Sequence, residues 1–111
     1  MAVRLPAGAA TIAKRHPRIW AAYQELGAAC AESGPLDART RRLVKLALAV
    51  GSQSEGAVHS HTRRGADEGI VREEILHIAV LAIPSLGLAK AVAAMTWMED
   101  VLKDGKTDRG A

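Results

Sequence analysis

The chain contains no phenylalanine, and aromatic residues of any kind make up only 3% of it. No segment alternates polar and apolar residues in the way that a half-buried β-strand does. The apolar residues, 49% of the total, are mostly alanine, leucine, valine and isoleucine, a composition typical of closely packed helices. The sequence therefore predicts an all-α fold.

Cysteine is almost absent, since Cys30 is the only one among the 111 residues. A single thiol cannot form an intramolecular disulfide, and this favours a reducing compartment. Basic residues interrupt or closely flank the small apolar patch near the N-terminus, which is unlike a secretory signal. We therefore expect a cytoplasmic protein.

The chain also lacks a large excess of charge of either sign, since its net charge is only +3. This mild positive balance suits an anionic small molecule but falls short of a nucleic-acid-binding surface, so no nucleic-acid partner is predicted. Glu74 and His77 have the Glu-x-x-His spacing of di-iron helical bundles, but the chain has no second copy of it. The sequence thus predicts neither a metal site nor a cofactor.

The length fits one domain over residues 1–111, with residues 1–15 and 104–111 expected to be flexible. Helical periodicity predicts about five helices, and Pro84 is expected to separate the last two, because proline cannot continue a regular helix. Their approximate bounds are 17–33, 37–50, 53–68, 71–83 and 85–103. In the first of them, five residues at helical spacing are expected to form a buried stripe: Ile19, Trp20, Tyr23, Leu26 and Cys30.

The stretch from Ile75 to Met98 has only two ionisable side chains, His77 and Lys90. Pro84 and the many alanines make it a poor candidate for a membrane span. A helix that is apolar all round must otherwise be buried on every side, and one small domain offers little core for this. We therefore expect a homo-oligomer and no membrane partner.

The third predicted helix carries the stretch SEGAVHSH, residues 54–61. Ser54, Ala57 and His61 are three and then four residues apart, so they share one helix face. His59 lies two residues before His61 and points about 200° away from it. The two histidines therefore cannot serve one site within one subunit.

Beyond His61 the sequence reads HTRR, and from Glu68 it continues EGIVREEI. This pattern, with the flanking helices over residues 35–102, resembles the carboxymuconolactone decarboxylase and alkylhydroperoxidase-D-like superfamily. The resemblance implies small all-helical subunits in trimers or hexamers, with the site near a subunit interface.

In the peroxidase branch of that superfamily the site helix carries Cys-x-x-Cys-x-x-x-His, with a glutamate in the preceding helix. By position, the two cysteines fall on Ser54 and Ala57, the histidine on His61 and the glutamate near Arg42. The resemblance thus implies that His61 lines a cavity closed by the second helix near Arg42 or Leu46. Peroxide reduction of this kind needs a thiolate and a resolving thiol. The residues therefore disfavour an antioxidant role, and the chain is not expected to be a thiol peroxidase.

The decarboxylase branch also lacks the cysteine pair and keeps the histidine, which implies a lyase that acts on a small carboxylated substrate. His61 would be its acid or base, since histidine titrates near neutrality. Arg42 or Arg63 could hold the carboxylate bidentately. Ser54 is equally well explained as a ligand contact or as a helix cap. The alternative is a non-catalytic, ligand-binding member that keeps only the fold and the oligomer.

Overall fold

A computed structural model describes residue 5 and residues 7–104 of the chain. Within that part the regular structure is entirely helical, which confirms the all-α prediction. The prediction of about five helices was wrong, because the described residues form six. These are α1 (Ala7–Arg15), α2 (Pro17–Glu32), α3 (Ala38–Gly51), α4 (Glu55–Asp67), α5 (Arg72–Leu86) and α6 (Leu88–Asp104).

The additional helix, α1, lies in a segment that was expected to be flexible. Its sequence, AGAATIAKR, contains four alanines, the residue with the strongest helix propensity. Lysine and arginine in its last turn complement the negative end of the helix dipole. At the other end of the chain, the flexibility predicted for residues 105–111 concerns a segment outside the described residues.

The boundary between α5 and α6 also differs from the prediction. Pro84 lies inside α5, which continues to Leu86. The break falls at Gly87, where φ is +101°, a conformation that glycine adopts readily and other residues rarely do. Its N–H still donates to the carbonyl of Ile83 at 2.9 Å. Proline removes one helical hydrogen bond, whereas the positive φ changes the direction of the chain.

The six helices group into two compact units, one up to Leu36 and one from Asp37 onward. In the first unit, α1 and α2 have no buried residue. The buried stripe predicted for α2 was wrong, because Ile19, Tyr23 and Leu26 are 60–61% exposed and Cys30 is exposed as well. Helical spacing shows which residues share a face but not what covers that face. One domain over residues 1–111 stays a prediction.

In the second unit, α4 packs against both α3 and α6, and α5 packs against α3 and α6. Their shared core contains side chains that are no more than 1% exposed, among them Leu46, Val58, Ile75, Met98 and Leu102. Burying a side chain of this size contributes roughly 1.5–3 kcal/mol. The core thus fixes α4 relative to α3 and α6.

A short turn joins α3 to α4. Gln53 has a φ of +54°, and its side-chain amide donates to the carbonyl of Val50 at 3.0 Å. Each helix has a side-chain cap at its start, since Asp37 accepts from the N–H of Thr40 and Ser54 from that of Ala57. The turn and the caps set the register in which α4 lies on α3.

No helix in the described part of the chain is both long enough and apolar enough to cross a membrane. The apolar segment 75–98 is instead divided between α5 and α6.

Candidate functional site

The candidate site lies where α4 meets α3. His61 is half-buried, and its Nδ1 lies 2.7 Å from Nη1 of Arg42. This contact confirms the prediction that His61 faces the second predicted helix near Arg42. Nε2 of His59 lies 3.2 Å from Oδ2 of Asp100 in α6, so this histidine points elsewhere, as predicted. The cavity expected beside His61 stays a prediction.

Arg42 also forms a bidentate ion pair with Glu68. Its Nε donates to one carboxylate oxygen at 3.0 Å and its Nη2 to the other at 2.9 Å. The arginine side chain is only 16% exposed, against 45% for the glutamate. Such paired, charge-assisted hydrogen bonds are stronger and more directional than a single contact. Arg42 therefore bridges His61 and Glu68.

Glu68 was not among the predicted site residues. The sequence placed it in a family-like motif at the end of a helix and assigned it no role. Its distance from His61, seven residues, is close to two helical turns and puts both residues on one side of α4. That spacing was the signal that could have identified it.

The tautomer of His61 follows from the contact with Arg42. A guanidinium has N–H donors and no acceptor, so Nδ1 must accept the hydrogen bond. The proton of the neutral ring is then on Nε2. The ring consequently has its second nitrogen available as a hydrogen-bond donor.

Burial of the ring is the main reason that the pKa of His61 is lowered from its usual 6.5 to about 4. Nearby positive charges lower this pKa further, and Glu68 opposes them; the cations are Arg42, Arg64 and Lys45. At pH 7 the free protein therefore has a neutral His61. The expectation that this histidine titrates near neutrality was wrong, because the sequence shows the residue type but not its burial or its neighbours.

Glu68 is charged under the same conditions. The hydrogen bonds from Arg42 are the main cause of its lowered pKa. Although Glu68 is paired with Arg42, the charge of Arg42 still lowers the pKa of His61 more than the charge of Arg64 or of Lys45 does. The electrostatics around the ring thus favour an anion.

Gly65 allows the stem of Arg42 to lie against α4. A Cβ built at this buried glycine would be 3.5 Å from Cγ of Arg42, and two isoleucine methyl groups would be almost as close. A single methyl group would be in van der Waals contact, and a larger side chain would displace the arginine. The glycine therefore helps to set the position of the guanidinium.

Ser54 and Arg63 are the other two predicted ligand contacts, and the structure does not bring either of them to His61 as it brings Arg42. The hydroxyl of Ser54 accepts from the N–H of Ala57 at 3.3 Å, which is the geometry of a helix cap. Arg63 lies two residues after His61 and so points about 200° away. Its buried Nε has no hydrogen-bond partner among the described residues.

Among the described residues, one group has ligand atoms close enough together for a metal ion: Glu55, His59 and Asp100, within 4.8 Å of one another. Both carboxylates are exposed, and the contact of His59 with Asp100 accounts for the arrangement without a metal. Glu74 has a different role, since it pairs with Arg39 and accepts from the N–H of Val71.

Comparisons with known proteins agree with the helical architecture. The model of the carboxymuconolactone decarboxylase family matches residues 17–100. An uncharacterized protein of Haemophilus influenzae is 46% identical over 50 residues, which are 45% of this chain and 44% of that protein. The chain thus spans less than half the length of this relative. The crystal structure of an apo carboxymuconolactone decarboxylase family protein from Legionella pneumophila matches with a TM-score of 0.70 at 26% identity, covering 86% of this chain and 88% of that one.

Proposed function

The chain belongs to the carboxymuconolactone decarboxylase family, and we propose that it binds a small carboxylated molecule at Arg42 and His61. The contact of the Arg42 guanidinium with the neutral ring of His61 carries this proposal. An arginine supplies a fixed positive charge for a carboxylate, and Nε2 of His61 supplies a second donor beside it. Together they suit a carboxylate that also has an oxygen able to accept a hydrogen bond from Nε2.

The proposed reaction is a decarboxylation. The bond between the carboxylate carbon and its neighbour breaks and carbon dioxide leaves. The electron pair of that bond forms a double bond to the next carbon, whose carbonyl oxygen takes up the negative charge. Nε2 of His61 stabilises this negative charge by donating a hydrogen bond. Water then supplies the proton that the product carbon takes up. His61 acts here as a hydrogen-bond donor, in place of the acid or base role that the sequence predicted.

A non-catalytic, ligand-binding protein is the second candidate function. The specific observation in its favour is that Arg42 occupies Nδ1 of His61, so the neutral ring offers no free basic nitrogen. In that case the same carboxylates bind and are released unchanged. An assay for carbon dioxide with each bound ligand separates the two candidates.

The binding proposal is tested by calorimetry with a panel of short unsaturated carboxylic and lactone acids and their methyl esters. We expect an acid to bind and its ester to bind more weakly. Arg42→Gln should reduce the affinity at least about tenfold, because it removes the charge that pairs with the ligand.

The control is Arg18→Gln, an identical change of charge at an exposed position of α2. It should leave the affinity unchanged. Equal binding by wild type and Arg42→Gln, or no binding of any acid at millimolar concentration, would refute the proposal.

The proposal also includes a homo-oligomer, a trimer or hexamer as in the superfamily, and a cytoplasmic location. Cys30 is free and exposed, which suits a reducing compartment.

Ser54 and Ala57 stand where the peroxidase branch has its two thiols, so the proposed function includes no thiol peroxidase activity.

A further inference from the structure

Binding of a carboxylate, as proposed above, uses Arg42 and His61 but gives Glu68 no role. The structure nevertheless joins all three side chains in a row. Two of the nitrogens of Arg42 donate to Glu68, and the third lies against Nδ1 of His61. This arrangement has a consequence for the ring of His61.

The guanidinium is planar, so its three nitrogens keep a fixed arrangement relative to one another. When Nε and Nη2 are both bound to Glu68, the plane and direction of the group are set. Nη1 is then directed at His61. An arginine without this partner loses the restraint, because its long side chain has many accessible rotamers.

We propose that Glu68 is a positioning residue, which acts through Arg42 to keep Nδ1 of His61 as a hydrogen-bond acceptor and Nε2 as the protonated nitrogen. The carboxylate of Glu68 thereby determines which nitrogen of the ring can donate to a ligand. The effect of this tautomer on the ligand and on its decarboxylation rests on the proposed function, whereas the tautomer itself does not.

An ordinary surface ion pair is the simpler explanation of the contact between Arg42 and Glu68. Exposed pairs contribute little to stability, and Glu68 is partly exposed. Two features distinguish this pair from such a contact. It is bidentate, and its arginine is largely buried and has a further contact with a half-buried ring. A purely structural pair would leave the tautomer of His61 unaffected.

The test uses the ¹⁵N-labelled full chain, without ligand, at pH 7. Long-range ¹H–¹⁵N correlation spectra distinguish the protonated from the unprotonated nitrogen of each imidazole ring. The signals of His61 are identified by their loss in His61→Gln. We expect the wild type to have its proton on Nε2, and Glu68→Gln to shift the ring toward a mixture of the two tautomers.

The matched control is Asp67→Asn, which makes the same change of charge one residue away at an exposed position. It should leave the spectrum of His61 unchanged. Glu68→Asp keeps the charge on a shorter side chain, should give an intermediate spectrum, and is the variant to use if Glu68→Gln does not fold. A proton on Nδ1 in the wild type would overturn the inference. So would Glu68 variants whose His61 signals coincide with those of the wild type.

Affinity measurements then separate this inference from the proposed function. If carboxylates bind, Glu68→Gln should change their affinity by about tenfold or less, because the loss of the positioning hydrogen bonds weakens binding while the loss of a competing negative charge strengthens it. If no carboxylate binds but the tautomer depends on Glu68, the proposed function fails and the positioning role stands. If carboxylates bind and the tautomer does not depend on Glu68, the positioning role fails and the proposed function stands.

Discussion

His61 is half-buried in α4 and hydrogen-bonded at Nδ1 to a cation, and both features favour the neutral ring. In the unfolded chain the same histidine has its usual pKa of 6.5. Between pH 4 and 6.5 the unfolded state therefore binds a proton that the folded state does not. His61 thus stabilises the fold least at the acidic end of this range and most above it.

We predict that the free energy of unfolding falls as the pH is lowered from 7 to 5, with a share from His61 of about 1 kcal/mol. This is below the full linkage value, because solvent screens a ring that is only half-buried. Urea unfolding of wild type and His61→Gln at both pH values measures that share, and an NMR titration should give a midpoint near 4 for His61. A midpoint near 6.5, or an equal pH dependence in both proteins, would contradict the prediction.

The residues of the site were predictable to different degrees. The contact of His61 with Arg42 followed from helical spacing and a short turn, which together place one face of α4 on α3. The pairing of Arg42 with Glu68 could not be predicted from helical spacing, because it depends on the rotamer of a long side chain. The lowered pKa of His61 depends on the burial of the ring and on nearby charges, which no local pattern reports.

At the scale of the helices, the bounds of the five predicted helices lie within two residues of the observed ones, except at the boundary between α5 and α6. A helix cap was one of the two explanations given for Ser54, and both Ser54 and Asp37 accept a backbone hydrogen bond at the start of a helix. Gly69 follows the end of α4 with a φ of +95°. The break assigned to Pro84 was wrong. Caps and positive-φ glycines act through local hydrogen bonds and sterics, whereas a proline near a helix end is tolerated where packing supports the helix.

The cap at Ser54 gives a prediction for α4. Ser54→Ala should lower the free energy of unfolding by about 1 kcal/mol, because the N–H of Ala57 loses its acceptor. Ser54→Asn should retain most of the stability, since asparagine is an equally good cap. Chemical denaturation measures both changes, and calorimetry with a bound carboxylate should give the same affinity for all three proteins. A loss of affinity with unchanged stability would show that Ser54 is a ligand contact instead.

At the scale of the whole molecule, the chain exposes more large apolar side chains than the proposed site at Arg42 and His61 explains. In the first unit, Ile19, Tyr23 and Leu26 lie along one side of α2 and are at least 60% exposed. In the second unit, five exposed aliphatic side chains lie in the second half of α5 or the first half of α6: Val80, Leu81, Ile83, Leu88 and Val92. The sequence predicted this excess of apolar surface from residues 75–98, but it could not indicate which side chains the chain itself would cover.

Burial of these side chains between subunits is the expected outcome, because each large aliphatic side chain removed from water contributes roughly 1–3 kcal/mol. Sedimentation velocity in dilute buffer should therefore give a mass that is a multiple of 11.7 kDa. Leu81, which is 56% exposed, provides a matched pair of variants. Leu81→Lys should shift the population toward the monomer, because a charge at an apolar interface must be desolvated, whereas Leu81→Met should sediment like the wild type. A wild type that sediments as a stable monomer would contradict the prediction, and dissociation by both variants would show that this position tolerates no change of shape.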